Sequence, residues 1–474
     1  MEKLNVCFCS YPFFSSHAKA LYLYMKKYCG TLNLYWVVNN QNEKNFLMKI
    51  GVKAYIINTK EFYNKMKVTD LFFTTHGNLI DYKNEKSIYV ELWHGIGVKP
   101  AGYLLNRISN FDESWTNEFR KKIDYLIVPT EFWKIIFSCL FQIDPRRVLP
   151  IGYPKFYLQQ KANSTKNLEK IINIDTKKYE KIILYLPTIR KAQDKKTEIN
   201  IDANKIFGFN EENLEDINSF LKNNKYLLCI KYHPSENALP NITENENIKI
   251  LDNDIMKSKC VDIDEIINCA DFVISDYSSI LIEAIYLKKK VIFLNNNINE
   301  FNKNRGIFFN MYDYWANNLS VNDWSSLKKQ LLSLDKNIDE EKYKMWFGNI
   351  KNGGCRNIVN YFIENGKIKR DINQNINAEF KLEKQLKNLK EKMYNLENQI
   401  TIIEQENQNN IVIINQKNVE ILDKTNAIND LNKKNEQNLK QISIIEKELN
   451  DIASSKTYKF ARILQKIKQK IFRR

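Results

Sequence analysis

Short apolar runs bounded by polar turns alternate with segments whose apolar positions recur every three to four residues. The runs read as buried strands and the periodic segments as helices. Strands are expected at Asn5–Ser10, Leu32–Val38, Ala54–Ile57, Leu71–Thr75, Ser87–Leu92 and Tyr125–Pro129, with helices over Lys19–Lys27 and Glu43–Ile50. This alternation predicts a parallel sheet covered by helices on both faces, with ligands beyond the carboxyl ends of its strands. After the turn Gly152-Tyr153-Pro154 the pattern repeats: Lys181–Leu186 and Tyr226–Ile230 are strands, Asp194–Asn213 is a polar excursion, and an amphipathic helix begins at Leu214. Asp271–Leu294 holds a complete strand-turn-helix-strand unit, with strand Phe272–Ile274, turn Ser275–Ser279, helix Ile280–Lys288 and strand Val291–Leu294. The expected fold class is α/β, two Rossmann-like domains facing a cleft, at residues 1–165 and 166–366.

Beyond Gly366 the period changes. Leu382, Leu386, Leu389, Met393, Leu396, Ile400 and Ile403 follow alternating spacings of four and three, and the register continues through Ile414, Ile421 and Ile428 to Ile452. That is about ten heptads and predicts a long coiled coil over residues 375–454. Asn407, Asn410, Lys417, Lys424, Asn435 and Asn438 occupy seam positions, weakening its middle and favouring a dimer. A single solvated helix or partly disordered tail is the alternative. In residues 455–474, Phe460, Ile463, Leu464, Ile467 and Ile471 line one helical face among Lys and Arg. A basic amphipathic helix of this kind suits an anionic membrane surface. Nucleic acid competes for the charge, but the apolar stripe favours lipid, so no nucleic-acid partner is expected.

At 474 residues the chain exceeds what a single core normally serves. Its net charge of +16 is uneven, since Lys456–Arg474 carries eight basic residues and no acid. The eight cysteines lie mostly in apolar runs without CxxC or metal-ligand spacing, which points to reduced thiols. Met1–Asn5 leads into an apolar run that a strand explains better than a signal peptide, and no apolar run is long enough to span a membrane.

The candidate chemistry lies at strand ends. In the Asp271–Leu294 unit, Ser278 or Ser279 can cap the helix, whose free N–H groups and dipole attract phosphate; a plain capped turn is the simpler reading. Lys231-Tyr232-His233-Pro234 follows one apolar strand, and Pro187-Thr188-Ile189-Arg190 follows another, bringing a hydroxyl and a guanidinium to the sheet edge. In the first half, Trp93-His94-Gly95 ends a strand; Gly95 and Gly97 free the backbone for a close turn, and Lys99 can meet an anion. His76-Gly77 ranks behind it because no cation or second Gly follows; His17, in the first loop, could face the same cleft but reads more simply as a loop residue. Two facing sheets would put His94 on one wall and Arg190, His233 and Ser278 on the other.

The order Trp93-His94-Gly95, Gly152-Tyr153-Pro154, Pro187-Thr188-Ile189-Arg190, His233-Pro234, Asp276-Tyr277-Ser278-Ser279 resembles the CDP-glycerol glycerophosphotransferases, the teichoic-acid and capsule polymerase family with a GT-B fold. The resemblance covers roughly Lys3–Glu364. Two departures stand out: Ile96-Gly97-Val98-Lys99 replaces the family's usual Thr-Pro-Leu-Lys, and Glu283 stands where an Asp is common. The resemblance implies an acceptor domain at 1–165 and a nucleotide-donor domain at 166–366. It implies His94 and His233 as catalytic residues, with His94 the general base. Thr188, Arg190, Ser275, Asp276, Ser278, Ser279 and Glu283 then serve the donor and its phosphates, while Gly95 and Lys99 lie on the acceptor side. Glu283 reads equally as a helix residue paired with a nearby Lys. No cofactor and no metal are implied. The partners implied are CDP-glycerol or a related CDP-alcohol and a polymer acceptor. An anionic membrane surface and a second copy joined through the coiled coil complete the expected partners, at the cytoplasmic face of a bacterial cell membrane. A GT-B glycosyltransferase using a nucleotide sugar and an inactive coiled-coil scaffold are the competing readings.

Overall fold

The computed structural model describes residues 3–96, 99–105, 108–188, 205–233, 242–295, 298–304, 306–307, 311–316, 319–333, 340–347, 354–364 and 375–454, with a few positions beyond. Among these, one compact unit lies within residues 1–370 and a second within 371–474.

The first unit holds two sheets. The first comprises β1 (Asn5–Cys9), β2 (Asn33–Val38), β3 (Ala54–Ile56), β4 (Leu71–Thr74), β5 (Ile88–Glu91), β6 (Tyr125–Val128) and β7 (Val148–Pro150), in the order β3-β2-β1-β4-β5-β6-β7. The second comprises β8 (Lys181–Tyr185), β9 (Tyr226–Ile230), β10 (Ile248–Ile250), β11 (Phe272–Ser275), β12 (Lys290–Leu294) and β13 (Ser320–Val321), in the order β10-β9-β8-β11-β12-β13. Every pairing is parallel. Strands covered on both faces must be apolar on both, which is why they appear in the sequence as continuous runs. Of the four edge strands, β3 gives a short run, while β7, β10 and β13 do not stand out in the sequence. The order reverses between β1 and β4 in one sheet and between β8 and β11 in the other, the switch points where α/β sheets bind ligands.

The halves share a core. Leu184, Val273 and Phe293, on one face of the second sheet, belong to the same apolar cluster as Val6, Phe8 and Phe73 of the first. Ile183, Tyr185, Ile274 and Ile292 on the opposite face form a separate cluster with Trp324 and Leu327. The chain leaves the first sheet through the helix Lys155–Lys161, where Phe156 stacks on Tyr286 with centroids 3.6 Å apart. It returns at the helix Gly354–Val359, whose continuation packs Phe362 against Phe73 and Tyr125 of the first sheet. A Cβ at Gly354 would overlap the carbonyl of Gly152, so the crossing needs glycine.

In the second unit a single helix runs Asn375–Ser454. The expected seam residues Ile403, Ile414, Ile421, Ile428, Leu431, Ile442, Ile445 and Leu449 are all exposed along it. The expected basic amphipathic helix at 455–474 falls almost wholly outside the described residues.

Candidate active site

Strand ends from both switch points converge on one cavity of about 240 Å³. Tyr11 and Pro12 reach it after β1, His76 after β4 and His94 after β5; Leu186 and Pro187 reach it after β8, Lys231 and His233 after β9, Ser278 and Ser279 after β11. Lys155 and Glu283 complete its polar wall with Asp262 and Asp264. Of the residues expected from sequence, His94, His233, Ser278, Ser279 and Glu283 are therefore brought together. Arg190, with Pro234, Gly97 and Val98, lies outside the described residues.

Thr188, Ser275 and Asp276 do not line the cavity. Asp276 accepts hydrogen bonds from the backbone N–H (3.0 Å) and hydroxyl (2.7 Å) of Thr188 and from the N–H of Tyr277 (2.7 Å). The Ser275 hydroxyl donates to the carbonyl of Leu186. All three are buried. Their polar atoms are engaged between the loops after β8 and β11, forming a latch that holds the two loops together. Ser279 is the N-cap of the helix Ile280–Tyr286 but makes no side-chain cap bond; Ser278 Oγ accepts weakly from the N–H of Ile280 at 3.4 Å. Both serines line the cavity.

On the opposite wall the His94 ring is exposed to the cleft yet flanked by two rings. It stacks on His76 with centroids 4.0 Å apart and planes 8° apart, and lies 4.3 Å from the Trp93 ring. Desolvation by the flanking rings and cavity walls holds its pKa well below the usual imidazole value, and the charges that His76, Lys155 and Lys99 can carry act in the same direction. A neutral imidazole in a cleft is suited to accept a proton. Lys99 does not line the cavity; its ammonium lies 5.8 Å from the centre of the Phe301 ring, in the second half. Gly95 is packed against that half too, since a Cβ there would stand 3.1 Å from Glu283 Oε1 and 3.4 Å from Ser279 Oγ.

Glu283 is 3% exposed and pairs with Lys155, which is 2% exposed and also donates to the His94 carbonyl at 3.0 Å. The partner lysine expected near Glu283 thus exists, but it comes from the other side of the cleft. Burial alone would lower the Lys155 pKa; Glu283 and Asp264 outweigh it and leave it raised, so the ammonium persists. Gln159 donates to Asp264 (2.7 Å) and Glu283 (3.3 Å), extending the network.

Sequence reasoning ranked His76 too low and missed Lys155, Asp262 and Asp264. The signals available were the repeat of strand-His-Gly at His76-Gly77 and the lysine directly after Gly152-Tyr153-Pro154. His17 is not a loop residue: it sits in the first turn of the helix Ser16–Tyr28, fully buried, with Nδ1 accepting from the Lys155 N–H at 3.4 Å.

Two parallel sheets that share a core and meet at one cavity make a GT-B-like α/β fold, and solved structures carry the same arrangement. Wall teichoic acid polymerase TagF superposes with a TM-score of 0.61 at 22% identity, covering 79% of this chain and 90% of that one. The chain belongs to the CDP-glycerol:poly(glycerophosphate) glycerophosphotransferase family, whose family model matches residues 1–349. It is 26% identical to the teichoic acid poly(glycerol phosphate) polymerase of Staphylococcus epidermidis, over 68% of this chain and 44% of that protein. It is 30% identical to the teichoic acid glycerol-phosphate primase of Bacillus subtilis, over 55% of this chain and 66% of that protein. The chain thus spans less than half the length of the polymerase and about two-thirds of the primase.

Proposed function

We propose that this chain transfers glycerol phosphate, or a related polyol phosphate, from a CDP-alcohol to a hydroxyl of a membrane-associated surface polymer, releasing CMP. The observation that carries this reading, beside family membership, is the placement of a neutral imidazole on one wall of the cavity and two serine hydroxyls with His233 on the other. The acceptor O–H gives its proton to His94 as its oxygen bonds to the phosphorus next to glycerol. The bond from that phosphorus to the bridging oxygen breaks, and the electron pair leaves on CMP. Such transfer depends on positioning and on neutralising charge across the phosphates, work assigned to His233, Ser278, Ser279 and Arg190. Lys155 holds the His94 backbone and Glu283 in register. Residues 1–165 serve the acceptor and 166–366 the donor.

The same proposal makes the helix Asn375–Ser454 a coiled coil joining copies of this chain, which would cover its exposed seam. Residues 455–474 then rest on anionic lipid at the cytoplasmic face of a bacterial membrane. No helix among the described residues is long and apolar enough to cross a membrane.

The test is product analysis with purified protein, membranes as acceptor, and CDP-glycerol, CDP-ribitol and nucleotide sugars as donors. CMP released from a CDP-alcohol, and lost in His94→Ala, is the expected result. A nucleoside diphosphate released from a sugar donor would move the chain to glycosyl transfer, and no turnover of any donor would favour a scaffold.

A further inference from the structure

A carboxyl that the chemistry above does not use lies behind the two stacked histidines. Glu91 is the last residue of β5 and has no exposed surface. Its Oε2 accepts from the Gly77 N–H at 2.9 Å and meets Thr74 Oγ1 at 3.4 Å, while its Oε1 accepts from the Trp93 N–H at 2.9 Å. One side chain therefore ties the turn after β4 to the turn after β5. Each of these turns bends through a left-handed backbone at a residue other than glycine, His76 at φ 63° and Trp93 at φ 57°. Such conformations persist only where the surroundings over-determine them. The rings of His76, at one bend, and His94, directly after the other, lie parallel at 4.0 Å.

We propose that Glu91 is a positioning residue: by accepting from both turns it holds the His76–His94 pair and aims the His94 ring at the acceptor hydroxyl. The catalytic part of this statement rests on the proposed role of His94; the structural part does not. Glu91 touches no reacting atom, and its effect is carried by the backbone of two neighbouring loops. Its burial at a strand end serves this geometry, because a carboxyl in solvent would not stay fixed on two N–H groups.

The experiment uses the full chain with ¹⁵N-labelled histidine. Only four histidines occur, so each ring resonance can be assigned by single substitution. Glu91→Gln keeps the side chain's size but sets an amide NH₂ against one of the two backbone donors, releasing one turn. The rings of His76 and His94 should shift while those of His17 and His233 stay in place. With CDP-glycerol, kcat should fall about 100-fold while KM changes by less than about threefold, the pattern of a misaimed base. If Glu91→Gln does not fold, Thr74→Val loosens the same carboxyl from one side and should give a smaller shift of the same two resonances. Unmoved His76 and His94 resonances, or equal shifts in all four rings, would overturn the proposal. A wild-type chain that releases no CMP would instead sink the transferase reading and leave the histidine spectrum to decide Glu91.

Discussion

The loops after β5 and β11 face each other across one cavity and are built differently. The β11 loop is closed by polar side chains that bind the neighbouring β8 loop: Asp276 accepts from Thr188 as well as from Tyr277, and Ser275 donates to the Leu186 carbonyl, while Ser278 and Ser279 line the cavity. The β5 loop is held by ring packing, a left-handed bend at Trp93 and the buried Glu91. Two loops cross-linked by buried hydrogen bonds make a rigid frame, suited to presenting small donors to an anion. A loop that depends on its neighbours places a reactive ring whose proton affinity those neighbours set. The two are locked together by Lys155, which binds Glu283 from the β11 side and the His94 carbonyl from the β5 side.

Breaking that lock should have the largest effect. Lys155→Met leaves Glu283 and Asp264 buried without their cation and should cost about 3–5 kcal/mol in chemical denaturation. Lys155→Arg keeps the charge and should cost less. Opening the β11 frame comes next: Asp276→Ala strands the buried Thr188 hydroxyl and should cost about 1–3 kcal/mol, read as a lower melting temperature. An Asp276→Ala protein as stable as wild type would contradict the latch. Crowding the point of contact should be milder in stability and visible in rate. Gly95→Ala puts a methyl group against Glu283 and Ser279, and CMP release should drop about tenfold in a folded protein.

The last effect is a pH dependence to which the turn after β4 contributes. Burial and Lys155 hold His76 at about 4, below the 6.5 of a free imidazole. Below pH 6.5 the unfolded chain takes up a proton that the folded chain refuses. Stability should therefore fall as pH drops from about 6.5 towards 4 and be insensitive to His76 above that range. His94 and His17, also held below the usual imidazole value, add to the same limb. His76→Phe, which keeps a ring under His94, should therefore make it shallower in melting curves; an unchanged limb would assign it to the other two.

Much of this fold is legible in the chain because buried parallel strands are continuous apolar runs. Tyr226–Ile230 is a strand over the expected residues, and β1, β2, β4, β8 and β11 differ from expectation by a residue at an end. The motif residues His94, His233, Ser278 and Ser279 are legible for a related reason: each follows such a run, and parallel sheets bring strand ends together. What stays hidden depends on pairing between distant segments. Lys155 and Glu283 are 128 positions apart, and nothing local marks either as the other's partner. Glu91 looks like an ordinary polar end to a strand until β4 lies beside it. That Asp276 accepts from Thr188, 88 positions away, is likewise invisible until the two loops lie side by side.

The central claim, that His94 drives transfer at the phosphate next to glycerol, is tested most directly by following that phosphate. Wild type and His94→Ala would be given CDP-glycerol carrying ³²P at that position, with acceptor membranes. The account predicts label in the polymer and unlabelled CMP for wild type, with a rate lower by about 10³ in His94→Ala and donor binding retained. Label remaining with the nucleotide, or an undiminished rate without His94, would contradict it.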